Sequence, residues 1–250
     1  MVTAGGRREG ATTDRAGAPR PDRARVAIDG PGSSGKSSVG MAAAAVLGFR
    51  YIDTGLLYRA IAWLAMRRDV PLDDGPAVAA LASEVELASD AEGRLSRVRV
   101  GGRDVTRYVR GAAVDRRVSE AARQPAVRQA LVGVQRALAA GGAIVMVGRD
   151  IGTVVLPDAD VKVYLDASAG ERARRRALER GLDPAGPEAA EIRADLERRD
   201  AADAGRAVAP LRAADDAVIV DSDGMAFDAV VDRVVDLVRR SAPGRAEGSR

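Results

Sequence analysis

The sequence predicts an α/β fold: a five-stranded parallel sheet flanked by helices, with an inserted small antiparallel sheet and a lid-like helical hairpin. Three observations predict it. Five short apolar runs, at 25–29, 49–53, 144–147, 161–166 and 217–221, are mostly separated by helically patterned stretches, as parallel strands with crossover helices require. The first run leads through a glycine-rich loop into a helix. Between 84 and 105 the pattern changes to polar–apolar alternation, the mark of half-exposed strands.

Arg25-Val26-Ala27-Ile28-Asp29 reads as a buried strand, and Met41 to Leu47 as helix. Between them, Gly30-Pro31-Gly32-Ser33-Ser34-Gly35-Lys36-Ser37 fits the phosphate-cradling P-loop pattern, with Ser38 continuing into the helix. Glycines at 30, 32 and 35 are expected to turn with positive φ and aim successive N–H groups inward. The helix start adds unpaired N–H groups and a positive dipole end. Lys36 is one of only two lysines among 39 basic residues, and its compact ammonium fits an enclosed nest better than a planar guanidinium. Ser37 offers a hydroxyl oxygen suited to Mg²⁺. The chain is expected to bind a nucleoside triphosphate.

Residues 70–140 are too long for one crossover. Glu84–Ala88 and Arg97–Val100 read as strands, Gly101-Gly102 as the hairpin turn into Arg103-Asp104-Val105, and helices follow around 114–123 and 126–139 with Pro125 between them. Residues 168–206 hold the run Glu171 to Arg176, a Gly/Pro loop through 181–187, and a charged helix to about 204. Helix, loop, helix suits a mobile lid, and most of its arginines read as solvated i, i+4 partners. Phe227 to Arg239 stacks Val230, Val231, Val234, Val235 and Val238 on one packing face. The core is expected over 24–240, flanked by a disordered extension (1–23) and tail (241–250).

Composition narrows the function. The 250 residues carry 46% hydrophobic residues, enough for a packed core, and a net charge of only +3. Histidine and cysteine are absent, which removes thiolate chemistry, disulfides, Ser–His–Asp triads and the usual zinc sites. Arginines interleave with acids and aromatics reach just 3%, so nucleic acid is not an expected partner. No apolar run approaches a membrane span and no signal-peptide core is present, so a cytoplasmic protein is expected.

Further stretches follow the strands. Asp53-Thr54-Gly55-Leu56-Leu57-Tyr58-Arg59 comes after the second, and Gly148-Arg149-Asp150-Ile151-Gly152-Thr153-Val154-Val155 after the third. Arg199-Asp200, Asp203 and Arg206-Ala207-Val208-Ala209-Pro210-Leu211 close the charged helix. Together with the P-loop these resemble the bacterial cytidylate kinases, over about residues 25–240. Thr54 stands where some members have serine, and Ser37 where glycine is frequent.

The resemblance implies an ATP-dependent kinase for CMP or dCMP; Mg²⁺ is expected with the ATP, and a monomer is expected although the sequence does not fix the oligomeric state. It implies that Arg59, Arg149 and Arg206 face the acceptor phosphate, with Lys36, Arg149 and Arg206 stabilising the migrating charge. It implies that Asp150 and Arg128, assisted by Ser119, read the base, and that Arg199 and Asp203 meet the sugar, while Thr54 and Tyr58 line the same pocket. Arg175 and Arg176 are expected along the ATP. From the residues alone Asp150 is also compatible with a magnesium-water ligand, and Arg199/Asp203 with a solvent-exposed helix pair. Other acceptors (UMP, AMP, dTMP, shikimate) or a nucleotide-binding regulatory module remain compatible with the P-loop alone.

Overall fold

The computed structural model describes residues 23–241, so the expected extension and tail lie, apart from Arg23 and Ser241, outside the described residues. In chain order the elements are β1 (Arg25–Asp29), α1 (Lys36–Leu47), β2 (Arg50–Asp53), α2 (Gly55–Arg67), α3 (Gly75–Ala80), β3 (Val85–Ala88), β4 (Arg97–Val100) and β5 (Arg103–Asp104). There follow α4 (Thr106–Val109), α5 (Ala112–Ala122), α6 (Pro125–Ala139), β6 (Ile144–Val147), a π-helical turn (Ile151–Val155), β7 (Val161–Asp166), α7 (Ala169–Glu179), α8 (Pro187–Ala204), β8 (Val218–Asp221) and α9 (Phe227–Ser241).

The five expected core strands form one parallel sheet in the order β2-β6-β1-β7-β8. β1 is central, pairing Val26 with Val145 on one side and Val161 on the other. Its alternate residues serve both faces. Val26 and Ile28 pack with Val39 and Ala43 of α1 and with the valine stripe of α9. Ala27 packs with Met146, Ile151 and Ala139 on the opposite face. The connection out of β1 runs toward one sheet edge and those out of β6 and β7 toward the other, so the ligand crevice belongs at the carboxyl end of β1.

The segment between α2 and β6 folds around α2. Leu56, Leu57, Ile61 and Leu64 of that helix meet Val78, Val98, Val114, Val118 and Leu131 of the insert. Its sheet has the order β3-β4-β5, with Gly101 (φ 54°) and Gly102 (φ 78°) supplying the left-handed backbone that the hairpin turn needs. The loop before β4 covers the free edge of β2: Leu95 N donates to Tyr51 O at 2.9 Å and Leu95 O accepts from Asp53 N at 3.3 Å. Pro125 is the first residue of α6 rather than a spacer, a position where a missing N–H costs no helix bond.

α7 and α8 form the helical hairpin. α7 starts on a capping box, Ser168-Ala169-Gly170-Glu171, whose serine accepts from Glu171 N at 3.2 Å. The hairpin is held by a small apolar cluster of its own: Ala173, Ala177, Ala189, Ile192 and Leu196.

Candidate active site

Residues 30–35 join the end of β1 to α1, whose first turn holds residues 36–38, where the topology puts the crevice. Positive φ falls at Gly30 (153°), Ser33 (59°) and Gly35 (89°). Gly32 was expected to take such a conformation and does not; Ser33 takes it instead. A Cβ there would lie at ordinary contact distance from Arg149 Nη2 (3.5 Å) and Leu196 Cδ2 (3.4 Å), so Gly32 places the loop beside both side chains. Among the described residues, the amides of Gly35, Lys36, Ser37 and Ser38 donate to no protein acceptor, and the buried Ser34 Oγ has no partner. These are the free donors that a phosphate cradle requires.

Lys36 is buried, its Nζ donating to Pro31 O at 2.8 Å. Burial, then the charges of Arg149 and Arg199, press its ammonium well below the ordinary lysine range. Ser37 Oγ lies 3.5 Å from Asp53 Oδ2. Ser38, expected among the ATP contacts, is exposed on the outer face of α1.

Helix α7 of the hairpin reaches the loop through two arginines. Arg175 Nη1 lies 3.4 Å from Ser34 O and 3.0 Å from Ser222 Oγ. Arg172 donates to Gly32 O at 3.0 Å and to Ala167 O at 2.9 Å, and pairs with Asp200 at 2.6 Å. Arg176, expected beside Arg175 along the ATP, points elsewhere: it donates to Asp115 Oδ2 at 2.7 Å, on the insert. Around the helix Arg175 and Arg176 lie about 60° and 40° to opposite sides of Arg172, so Arg175 turns toward the loop and Ser222 while Arg176 turns toward the insert.

The remaining expected residues gather on the insert side of the crevice. Arg149, just past β6, donates Nε to Asp203 Oδ2 at 3.2 Å. Asp203 also accepts from Ser119 Oγ at 2.9 Å and from Arg206. Burial raises its carboxyl, but Arg149 and Arg206 outweigh that and hold it below the usual range. Arg128 and Asp150 form a buried ion pair, and the Arg128 guanidinium lies 5.4 Å from the centre of the Tyr58 ring. Thr54 Oγ1 donates to Val147 O at 2.9 Å, so its hydroxyl anchors α2 to β6. Arg59 donates to Asp115 at 2.6 Å and to Val109 O at 3.2 Å.

Arg199 and Asp203 are not an exposed i, i+4 pair. Both are directed inward, with Arg199 3.8 Å from Asp115. Burial, then Arg149 and Arg59, pulls the Arg199 guanidinium down to about 10. Lys36, Arg59, Arg149 and Arg199 thus crowd one another electrostatically, a setting complementary to phosphate groups.

Four acids and Arg172 escaped assignment from sequence. Asp29 ends β1 and accepts from Ile151 N at 2.8 Å and Gly152 N at 2.7 Å, bracing the turn after Arg149 and Asp150. Asp29 and Asp53 end strands, which was the available signal. Asp200 lay in a noted motif. Asp115 stands in Asp115-Arg116-Arg117 and had no signal at all.

For magnesium, the donor chemistry fits: Ser37 and Asp53 supply hard oxygens beside the loop, and Mg²⁺ takes only one or two carboxylates when phosphates complete its shell. Among the described residues there is no cluster of three acidic side chains for a self-sufficient metal centre, and no helix is long and apolar enough to cross a membrane.

A family model described as cytidylate kinase matches residues 26–240. A cytidylate kinase of Pelotomaculum thermopropionicum is 47% identical over 224 residues, covering 89% of this chain and 97% of that protein. One from Desulfitobacterium hafniense is 46% identical over 215 residues, covering 85% and 91% respectively. A bifunctional pantoate ligase/cytidylate kinase of Synechococcus is 42% identical over 234 residues, covering 91% of this chain and 43% of that protein. The chain spans less than half the length of such bifunctional relatives and nearly all of the single-activity ones. By the reach of the family model and the identity of full-length relatives, this chain belongs to the cytidylate kinase family.

Proposed function

We propose that the protein transfers the γ-phosphate of ATP to CMP or dCMP, with the P-loop holding the donor and the insert and lid holding the acceptor. The observation that carries this reading is a second cationic pocket: Arg59, Arg149 and Arg199 converge opposite Lys36, and Arg149 approaches Gly32 of the loop itself. A nucleotide switch has no use for a second phosphate pocket.

Phosphoryl transfer asks for alignment, charge neutralisation and exclusion of water more than for covalent help. The free amides of residues 35–38 and Ser34 Oγ cradle the donor phosphates. Lys36 bridges toward the transferred group, while Arg175 and Arg172 bring α7 down on the loop. When bound by Ser37 and Asp53, Mg²⁺ would neutralise donor phosphate charge. Arg59, Arg149 and Arg206 hold the acceptor phosphate; Arg199, whose charge faces Arg149 and Arg59, adds to that cationic pocket and with Asp203 meets the sugar. Tyr58 flanks the base.

Asp150 and Arg128 select the base. A cytosine edge offers an amino donor for the carboxylate and ring acceptors for the guanidinium, whereas uracil turns a carbonyl oxygen toward Asp150. We take a monomer as the working unit. A cytoplasmic setting agrees with the soluble substrates.

The test is a coupled assay with ATP, Mg²⁺ and a panel of CMP, dCMP, UMP, AMP, dTMP and shikimate. CMP and dCMP should exceed every other acceptor in kcat/KM by about tenfold or more. Turnover of UMP or AMP as fast as CMP rejects the assignment of the base pocket.

A further inference from the structure

Asp115 lies on α5, in the insert, and meets four arginines from elsewhere in the chain. Its Oδ1 accepts from Arg59 of α2 at 2.6 Å and lies 3.8 Å from Arg199 of α8. Its Oδ2 accepts from Arg176 of α7 at 2.7 Å and lies 3.6 Å from Arg180, one residue past that helix. Burial alone raises the carboxyl, but Arg59, Arg176 and Arg199 outweigh it and keep the group ionised.

These contacts differ from the rest of the hairpin's charge. Arg193–Glu197 and Arg198–Asp195 are exposed pairs within α8 and join nothing to anything else. Asp115 is only 15% exposed and joins three elements. The hairpin's apolar cluster contains no residue of α5, so hairpin and insert are held together by polar contacts, of which Asp115 and the Ser119–Asp203 bond are the centre. A contact made of charges can separate into water and re-form without exposing an apolar face. The same carboxylate fixes the plane of Arg59, whose other Nη donates to Val109 O.

We propose that Asp115 is the latch between insert and lid: one carboxylate clasps the lid guanidinia of Arg176, Arg180 and Arg199 and simultaneously orients Arg59 toward the acceptor phosphate. It is a positioning residue, acting through the arginines, and closing the lid thereby sets the acceptor arginine in place. The proposal rests on the reading of α7–α8 as a lid and of Arg59 as an acceptor-phosphate ligand.

The chain has no cysteine, so a label pair at the exposed positions Glu86→Cys, on β3, and Ala185→Cys, in the hairpin loop, reports lid position without background. Distances are measured by pulsed electron paramagnetic resonance, without nucleotide and with CMP plus a non-hydrolysable ATP analogue. Asp115→Asn should broaden and lengthen the nucleotide-free distribution, raise KM for CMP about tenfold and leave kcat within about threefold. Asp115→Glu, which keeps the charge, should restore both the distances and KM. Arg176→Gln/Arg180→Gln removes the clasp from the lid side; it should lengthen the distances too, and adding it to Asp115→Asn should change little more. An Asp115→Asn distribution identical to that of the unsubstituted chain overturns the latch, as do fully additive effects of the two sets. If Arg59→Ala leaves the CMP KM unchanged, the acceptor reading of Arg59 falls instead; the label distances, which need no turnover, still judge the clasp itself.

Discussion

Asp29 ends the central strand inside the molecule, and burial pushes its carboxyl up from 3.8 to about 6 even though two backbone amides pull the other way. A folded-state value above the unfolded one means that the folded chain holds the proton more tightly. The stability this group contributes is therefore full below 3.8 and is lost as pH rises through about 6. Activity should run in the opposite sense. Only the ionised form accepts fully from both Ile151 N and Gly152 N, and those bonds brace the turn that follows Arg149 and Asp150. We expect kcat/KM for CMP to show an acidic limb near pH 6 that Asp29→Asn abolishes. An unchanged limb in that variant would assign the titration to another group. At this scale the sequence was legible where chemistry is contiguous. Lys36 and Ser37 sit in a nine-residue stretch whose spacing carries its own meaning. It was not legible where one arginine had to be told from its neighbour: Arg176 turned out to serve Asp115, and Arg172, unassigned, reaches Gly32 O.

At the scale of elements, α1 shows how local preference and packing conflict. Gly40 in mid-helix costs about 1 kcal/mol against alanine by intrinsic preference. A Cβ there, however, would lie 2.6 Å from Val147 Cγ1 and 3.5 Å from Ile28 Cδ1, both in the sheet beneath. Val147 is buried and β-branched, so it has no room to yield. Gly40→Ala should consequently lower stability, by about 1–3 kcal/mol in urea unfolding, despite the better helix former. A stabilised variant would show that α1 can lift off the sheet freely. Most elements were readable because their signals are periodic and short-range. The β-branched runs became the strands, with β2 and β8 beginning one residue later than expected, and Gly101-Gly102 became the hairpin turn. The capping box at Ser168 was present in the sequence and marks the start of α7. The cover that Leu95 gives to β2 has no such signature, since it joins a loop to a strand more than 40 residues earlier.

Across the whole molecule, the apolar clusters divide the chain into parts that should not be equally firm. Both faces of the five-stranded sheet are packed, and the insert closes around α2. The hairpin of α7 and α8 relies on three alanines, Ile192 and Leu196, supplemented by ion pairs. Native-state hydrogen exchange should show α7 and α8 opening at clearly lower free energy than β1 and β6. Equal protection of hairpin and central strands would argue against a lid that moves as a unit. In the proposed kinase reading, a hairpin of this kind closes over both nucleotides and keeps water from the donor phosphate.

The sequence by itself determined the strand-and-helix order, the phosphate loop at the end of the first strand and membership of the kinase family, because each depends on contiguous residues or on short periodic patterns. The tertiary structure alone decided which guanidinia face which carboxylates. Residues 59, 115, 176 and 199 come together through two separate helices and one hairpin, and in a chain so rich in arginine no local pattern distinguishes the few that turn inward from the many that meet water.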